Sequence, residues 1–418
     1  MDKIVPRVAY NTVVQIVGKA LSVVFGVGIT MMLTRYLGPE GFGQYSFVVV
    51  FVAIFASLSD WGLSLITVRD ASKNSSRREE IIGSVLVVRL VLSLLVLVIT
   101  NLVAHLAYRG SSTALLISIW SIFLMASSIK TSMQIVFNVF LRMENWAISE
   151  LSANVISFFF TAVLVGLHLG VGEILVAQAL SSLVAGGVAW GLAVRLMPIR
   201  FLFNWEVVKK IVIDSLPMGA ILVIFTLYNR LDTMILSHYW GAEAVGYYSA
   251  AYKIYEVLVL GAAYFSNSIL PGLSSLADHD RGLMSKLYLK SFAVLALLGL
   301  GAATFNFVGA PYFIEIIAGA KFLPAVAPLR ILSLALFVSY FNHLNGYTII
   351  AMGKQKYSLI IALIALGANL GLNLLLIPKF SYYAAAVVTF ATEALIVALS
   401  LKFLARELGV ITTNKTPN

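Results

Sequence analysis

The chain has 418 residues, of which 60% are hydrophobic and only 11% charged, whereas a typical soluble domain carries about 25% charged residues. With a mean hydropathy of +0.94, this excludes a soluble protein, a disordered chain and a secreted disulfide scaffold. The absence of cysteine removes thiol nucleophiles, disulfides, iron–sulfur clusters and Cys-ligated zinc, and the net charge of +10 is assigned to lysine and arginine on cytoplasmic loops rather than to nucleic-acid binding.

About twelve apolar runs are long enough to cross a bilayer, which takes about 20 residues each. In chain order they span 10–34, 41–60, 81–105, 113–138, 148–168, 173–195, 211–238, 245–271, 287–309, 327–352, 357–377 and 382–402. All are expected to be helices, because a backbone in lipid must satisfy its hydrogen bonds internally. The first run is too long for a signal-peptide core and no A-x-A site follows it, so it is expected to be retained. The longest inner loop is expected at 61–80 and the longest outer one, partly apolar, at 310–326. Neither leaves room for a soluble catalytic domain. Nineteen of the 29 lysines and arginines fall in regions that are cytoplasmic if the N-terminus is inside. Five (Arg35, Arg109, Lys321, Arg330 and Lys379) fall outside, and five lie within spans. This bias places both termini in the cytoplasm of a multi-pass cell (inner or cytoplasmic) membrane protein.

The chain repeats itself. Residues 35–46 read RYLGPEGFGQYS and residues 238–249 read HYWGAEAVGYYS. At a constant offset they match at Tyr36/Tyr239, Gly38/Gly241, Glu40/Glu243, Gly43/Gly246, Tyr45/Tyr248 and Ser46/Ser249. Both segments fall at the outer turn after the first helix of a half. The expected fold is therefore an all-α membrane protein of about 12 transmembrane helices, in two pseudo-twofold-related six-helix bundles around a central cavity. The lobes are 1–200 and 201–418, joined by a cytoplasmic segment around 196–210. Six is even, so the halves share one orientation, as in transporters built from parallel repeats.

Five cations lie within spans: Lys19, Arg89, Lys130, Arg230 and Lys253. Each costs about 2.5–3.5 kcal/mol at a helix centre on insertion scales. Such residues usually face a cavity and mark a substrate or ion path; the competing readings are snorkelling to an interface and structural pairing. Asn11, Gln15 and Lys19 recur every four residues, as do Lys130, Gln134 and Asn138, so each set forms a polar stripe on one helix face. A stripe points to a polar lumen or to interhelical hydrogen bonds. Asp232, Glu256 and Glu393 are the internal anions, with Asp60, Glu150 and Asp214 near span ends. Lys253 and Glu256 are three apart and can pair. Arg230 and Asp232 are two apart and need separate partners. At the repeat offset these positions align with Val27, Ile29, Val50 and Ala53, so the halves share a scaffold but not a charge pattern. The resulting positive lumen favours an anionic ligand such as phosphate. Tyr248, Tyr252 and Tyr255 follow helical spacing and are read first as packing or interface anchors, with sugar contact as the rival. Pro217 and Pro271 permit kinks, while Gly18, Gly26 and Gly28 either soften helix 1 or let neighbours approach.

No G-x-x-x-x-G-K-[ST] occurs, which argues against ATP hydrolysis in this chain. The five histidines form no H-E-x-x-H or close pair, so no metal or other cofactor is expected. Asp278, His279 and Asp280 read as a solvated turn. The sequon Asn74-Ser75-Ser76 falls on the cytoplasmic side, where it goes unused.

The outer turn RYLGPEGFGQYS and its repeat, NRLDTMILSHYWGAEAVGYYSAAYKIYE at 229–256, GAKFLPAVAPLRIL at 319–332 and AMGKQKYS at 351–358 resemble Wzx-type polysaccharide and O-antigen flippases of the multidrug/oligosaccharidyl-lipid/polysaccharide (MOP) exporter superfamily. The resemblance covers nearly the whole chain. It implies a non-enzymatic flippase that moves a polyprenyl-pyrophosphate-linked oligosaccharide from the cytoplasmic to the outer leaflet by alternating access, coupled to an ion gradient or the membrane potential. It further implies that Lys19, Arg89, Lys130, Arg230 and Lys253 contact pyrophosphate or acidic sugars, with Asp232, Glu256 and Glu393 as candidates for ion coupling. The implied partners are the lipid-linked oligosaccharide, a proton or sodium counter-ion, membrane lipids, and the polymerase and glycosyltransferases of the same pathway. The alternatives are a drug/cation antiporter of the same superfamily, which needs a lumen rich in carboxylates, a lipid II flippase, which usually carries more than twelve helices, and a membrane-embedded glycan polymerase or ligase, which needs a large outer loop.

Overall fold

A computed structural model describes residues 4–277 and 279–408, with side chains from Val14 onward. All regular structure among the described residues is helical. In chain order the helices are α1 Ile4–Asp60, α2 Leu63–Lys73, α3 Arg78–Ala107, α4 Ser112–Ser121, α5 Phe123–Val139, α6 Met143–Gly166, α7 Val171–Val194, α8 Trp205–Tyr228, α9 Leu231–Ala277, α10 Arg281–Ile317, α11 Val326–Ala351 and α12 Gln355–Glu407. Nine helical stretches among the described residues are long and apolar enough to cross a membrane, and the chain is a multi-pass membrane protein.

Three helices are about twice the length of a single crossing, and each contains one residue with non-helical backbone angles. In α1 it is Gly38 (φ 66°, ψ −176°), in α9 Gly241 (φ 75°, ψ −169°) and in α12 Ser381 (φ 54°, ψ −141°). The first two are equivalent positions of the repeat. A positive φ with ψ near 180° is open essentially to glycine alone. Aromatic donors brace both bends: Tyr36 Oη donates to the Leu169 carbonyl at 3.0 Å, and Trp240 Nε1 to the Ile377 carbonyl at 2.8 Å. The matched tyrosines also have like roles. Tyr45 Oη bonds Gln178 Oε1 at 2.7 Å and Tyr248 Oη lies 3.2 Å from Thr389 Oγ1, each linking its helix to a later one.

Several expected loops are not loops. The outer turn after the first helix shrinks to the single break at Gly38. The stretch 61–80 holds α2 and a short 3-10 turn at Ser75–Arg77, and α10 runs on to Ile317, followed by a 3-10 turn over Ala320–Ala325. The span expected at 211–238 is instead interrupted at Asn229 and Arg230, between α8 and α9.

The chain folds as two compact units, Met1–Thr226 and Leu227–Asn418. In the first, α1 packs on α3 and α6, and α7 on α5 and α6. Gly28 admits the Phe158 ring, which would lie 2.7 Å from any added Cβ; Gly26 has open space beside it. In the second unit α11 is central, packed on α9, α10 and α12. The helices also turn large apolar side chains outward and hold small polar ones inside among the apolar core. Leu297 is 74% exposed, while Ser84, Ser93, Thr100, Ser132, Ser181 and Asn345 are buried. Buried hydroxyls return hydrogen bonds to their own helix, as Thr100 does to the Val96 carbonyl at 2.6 Å and Ser132 to the Ser128 carbonyl at 2.8 Å. Small polar residues at helix contacts permit the close approach that drives association in lipid.

The connection from α7 to α8 is an extended strap held by the first unit. Asn204 donates its backbone N–H to Ser84 Oγ at 3.2 Å and its amide to Glu80 Oε1 at 2.6 Å. Phe201, Phe203 and Trp205 alternate outward from it, at 62%, 61% and 65% exposure.

Candidate functional site

Charged side chains gather in clusters in both units. In the first unit the centre is Arg89, on the mid-section of α3. It is 1% exposed. Its Nη2 donates to Asp60 Oδ1 and, at 2.6 Å, to Ser64 Oγ; its Nη1 reaches Ser132 Oγ at 3.3 Å and Thr131 Oγ1 at 3.4 Å. Arg89 thus ties the end of α1 to α2, α3 and α5. Beside Thr131 on α5, Lys130 Nζ bonds Glu150 Oε2 at 2.7 Å and lies 5.2 Å from the Trp146 ring centroid. A cation over an indole face is held by the ring quadrupole. Asn138, the far end of the expected stripe, bonds its own helix at the Gln134 carbonyl, 3.0 Å. Gln15 and Lys19 are exposed, with no ion pair to Lys19 among the described residues; Asn11 lies outside the described side chains.

At one end of this unit a second network ties α2 to α8. Arg69 bonds both Asp70 and Asp214 at 2.7 Å, and Lys210 Nζ bonds the other oxygen of Asp70 at 2.8 Å. Trp61 and Gly62, both with positive φ, press against Gly219 of α8.

In the second unit the polar side chains surround the interruption between α8 and α9. Arg230 sits at that break. Its Nη2 bonds Glu256 Oε1 at 2.9 Å, and its guanidinium carbon lies 6.0 Å from the Tyr252 ring. The other oxygen of Glu256 takes Lys253 Nζ at 3.3 Å. One carboxylate therefore serves two cations, and the cluster keeps a net positive charge. Asp232 forms no ion pair with Arg230, whose partner is Glu256. Asp232 is buried and takes hydrogen bonds from Tyr248 Oη, from the Thr233 N–H at 2.6 Å and from Thr233 Oγ1 at 3.3 Å. Glu393 of α12 accepts from Tyr228 Oη at 3.0 Å and from the Asn342 amide on its other oxygen. Tyr255 Oη meets Ser339 Oγ at 2.7 Å. Asp232 and Glu393 are thus held by neutral donors, whereas Glu256 is committed to cations.

Four of the five expected cations carry a carboxylate partner: Arg89, Lys130, Arg230 and Lys253. Arg89 and Lys130 come together in one region, Arg230 and Lys253 in another, and Lys19 joins neither. Two partners, Asp60 and Glu150, were legible only as acids near span ends. Tyr228, Asn342, Ser64 and Trp146 carried no signal in the sequence. Tyr248, Tyr252 and Tyr255 are buried packing residues; the Tyr248 hydroxyl also bonds Asp232, while those of Tyr252 and Tyr255 meet the neutral side chains of Asn229 and Ser339. Asp280 accepts from the Leu283 N–H at 2.9 Å and caps α10. Asp278 lies outside the described residues. Among the described residues no group of three metal-ligating side chains gathers.

A family profile described as "Polysaccharide biosynthesis protein" matches residues 5–277. A protein of Escherichia coli (strain K12) named for O-antigen transport is 23% identical over 384 residues, covering 89% of this chain and 90% of its own length. The Bacillus subtilis (strain 168) teichuronic acid biosynthesis protein TuaB is also 23% identical, over 59% of this chain, which spans about half (51%) of TuaB. Among solved structures, the lipid II flippase MurJ in an inward closed conformation superposes with a TM-score of 0.79 at 13% identity, over 94% of this chain and 88% of MurJ. An inward-facing multidrug resistance MATE transporter of the MOP superfamily gives 0.72 at 16% identity, over 94% and 96%. The fold is therefore that of the MATE and MurJ transporters.

Proposed function

The chain belongs to the polysaccharide biosynthesis protein family, and from that premise we propose that it is a flippase. It carries a polyprenyl-pyrophosphate-linked oligosaccharide from the cytoplasmic to the outer leaflet by alternating access, coupled to an ion gradient or the membrane potential. It works as a carrier without catalysing a covalent step. The observation that carries this reading is the cluster at the α8–α9 interruption. Arg230 and Lys253 share the single carboxylate of Glu256, which leaves one positive charge beside a half-buried guanidinium with spare donors. A pyrophosphate is the anion that such a fork holds best. Lys19, Arg89 and Lys130 are proposed to add to the path. Arg89 is fully enclosed in this conformation and serves first as a tie between helices.

Asp232 and Glu393 are the proposed ion-coupling pair. They bind neutral donors only, so a proton or sodium ion can join them without displacing a cation; Glu256 is the weaker candidate for the opposite reason. Twelve crossings are supported by the nine apolar stretches together with the three breaks at Gly38, Gly241 and Ser381. On the repeat they divide six and six, at 1–200 and 201–418, with both termini cytoplasmic.

The test is translocation in proteoliposomes. A fluorescent polyprenyl-pyrophosphate oligosaccharide is loaded in one leaflet and its access to an impermeant quencher followed, with a cationic dye as parallel cargo. Protein-dependent crossing of the lipid alone supports the flippase. Crossing of the dye alone replaces it with the drug/cation antiporter.

A further inference from the structure

The second unit carries a groove of about 410 Å³ that the proposed transport site does not use. Phe307 of α10, Leu323 of the 3-10 turn, Arg330, Ile331 and Leu334 of α11, and Tyr383 of α12 line it. Its volume falls in the range of about 300–1,000 Å³ usual for ligand sites. Phe307, Leu323, Leu334 and Tyr383 are exposed, so the groove opens on the apolar outer surface of the unit.

Arg330 makes this groove unlike an ordinary lipid-facing furrow. Its Nε donates to the Phe307 carbonyl at 3.3 Å, and its guanidinium carbon stands 5.4 Å from the Phe307 ring centroid. These two contacts fix the plane of the guanidinium and leave both terminal nitrogens for another acceptor. No carboxylate pairs with it among the described residues. It lies four residues into α11, about 6 Å along the axis from the helix start at 1.5 Å per residue. That is headgroup depth for a crossing that begins there. Ile331 lies beside it and Leu334 continues the wall one turn deeper, towards the hydrocarbon. A cation facing lipid without a counter-charge is costly, and the acceptors abundant at that depth are lipid phosphates, which suit the guanidinium fork.

We propose that this groove binds one phospholipid of the surrounding bilayer, with its phosphate on Arg330 and the start of one acyl chain along Phe307 and Leu334, Leu323 of the 3-10 turn lying at the mouth. The charge sits at the mouth and the apolar wall runs inward, which is the polarity of a phospholipid entering from the membrane surface. The site stands apart from the Arg230–Glu256–Lys253 cluster and does not depend on the flippase reading.

The experiment is native mass spectrometry of the delipidated full chain titrated with phosphatidylglycerol. The wild type is expected to take up one lipid ahead of the rest. Loss of the charge-assisted pair in Arg330→Gln should weaken that event about tenfold or more, and Arg330→Lys should keep part of it. Leu334→Trp, which fills the groove and leaves the arginine, should weaken it as well. Thermal midpoints confirm that each variant is folded. Equal uptake by wild type and Arg330→Gln overturns the proposal. So does an equal loss in Lys379→Gln, an exposed cation that does not line the groove, because the effect is then general electrostatics. A polyprenyl phosphate that displaces phosphatidylglycerol at much lower concentration overturns the assignment of a bilayer phospholipid.

Discussion

Gly38 and Gly241 occupy equivalent positions in the two halves of the chain and share one backbone conformation, φ 66°, ψ −176° and φ 75°, ψ −169°. Each breaks a long helix at the place where the sequence puts an outer turn. Neither has an atom near where a Cβ would sit, so the requirement is conformational and not steric. Alanine at either position should cost about 1–3 kcal/mol, read as a lower thermal midpoint in detergent. Ser381 makes the third break at φ 54°, ψ −141° without being a glycine. Ser381→Gly should therefore move the midpoint upward.

The Arg89–Asp60 pair tests what a buried cation does here. Asp60→Ala leaves the enclosed guanidinium without its counter-charge, and removing one partner of a buried pair costs about 3–5 kcal/mol. Arg89→Met with Asp60→Ala should be less destabilising than Asp60→Ala alone, because no charge is then stranded. A chemical-denaturation series on the single and double variants checks this. If the double variant is no more stable than Asp60→Ala, Arg89 matters for more than its charge.

Gly83 of α3 marks where the strap before α8 is clamped. A Cβ there would sit 2.4 Å from the Arg200 carbonyl oxygen and 3.2 Å from Leu202 Cβ. In an open helix, Gly→Ala gains about 1 kcal/mol. Here the sign should reverse, with Gly83→Ala lowering the thermal midpoint.

Asp70 joins Arg69 of its own helix to Lys210 of α8. Asp70→Asn should loosen the hold on α8. The sequence has no cysteine, so Met218→Cys, next to the contact with Gly62, is a clean reporter. Its labelling by an aqueous maleimide should be faster in the Asp70→Asn background.

Arg230→Ala should reduce transport more than it reduces expression, with Arg230→Lys retaining more activity than the alanine variant, since the charge remains and only the fork is lost. Proteoliposome rates normalised to protein content measure it. Normal transport by Arg230→Ala removes that residue from the proposed site.

Membrane residence, helical class and the duplicated turn were all legible in the residues. Each depends on local facts: runs of apolar side chains, and a glycine pattern that repeats because the same bend is built twice. The pairing of Lys253 with Glu256 was legible too, because a helix places residues three apart together. Nothing local foretold that Arg89 would be enclosed with Asp60, that Lys130 would meet Glu150 and Trp146, or that Glu393 would rest on Tyr228 and Asn342. These contacts join residues from 16 to 165 positions apart, if the Lys130–Trp146 and Tyr228–Glu393 pairs are taken as the limits. Which faces meet depends on helix packing, and a uniformly apolar helix offers little periodicity from which to read its inner face. By itself the sequence determined that cations lie in the membrane, at a cost that favours partners; only the tertiary structure decided which carboxylate Arg89, Lys130 and Arg230 meet, because desolvated charges settle where folding brings opposite charge within hydrogen-bonding reach.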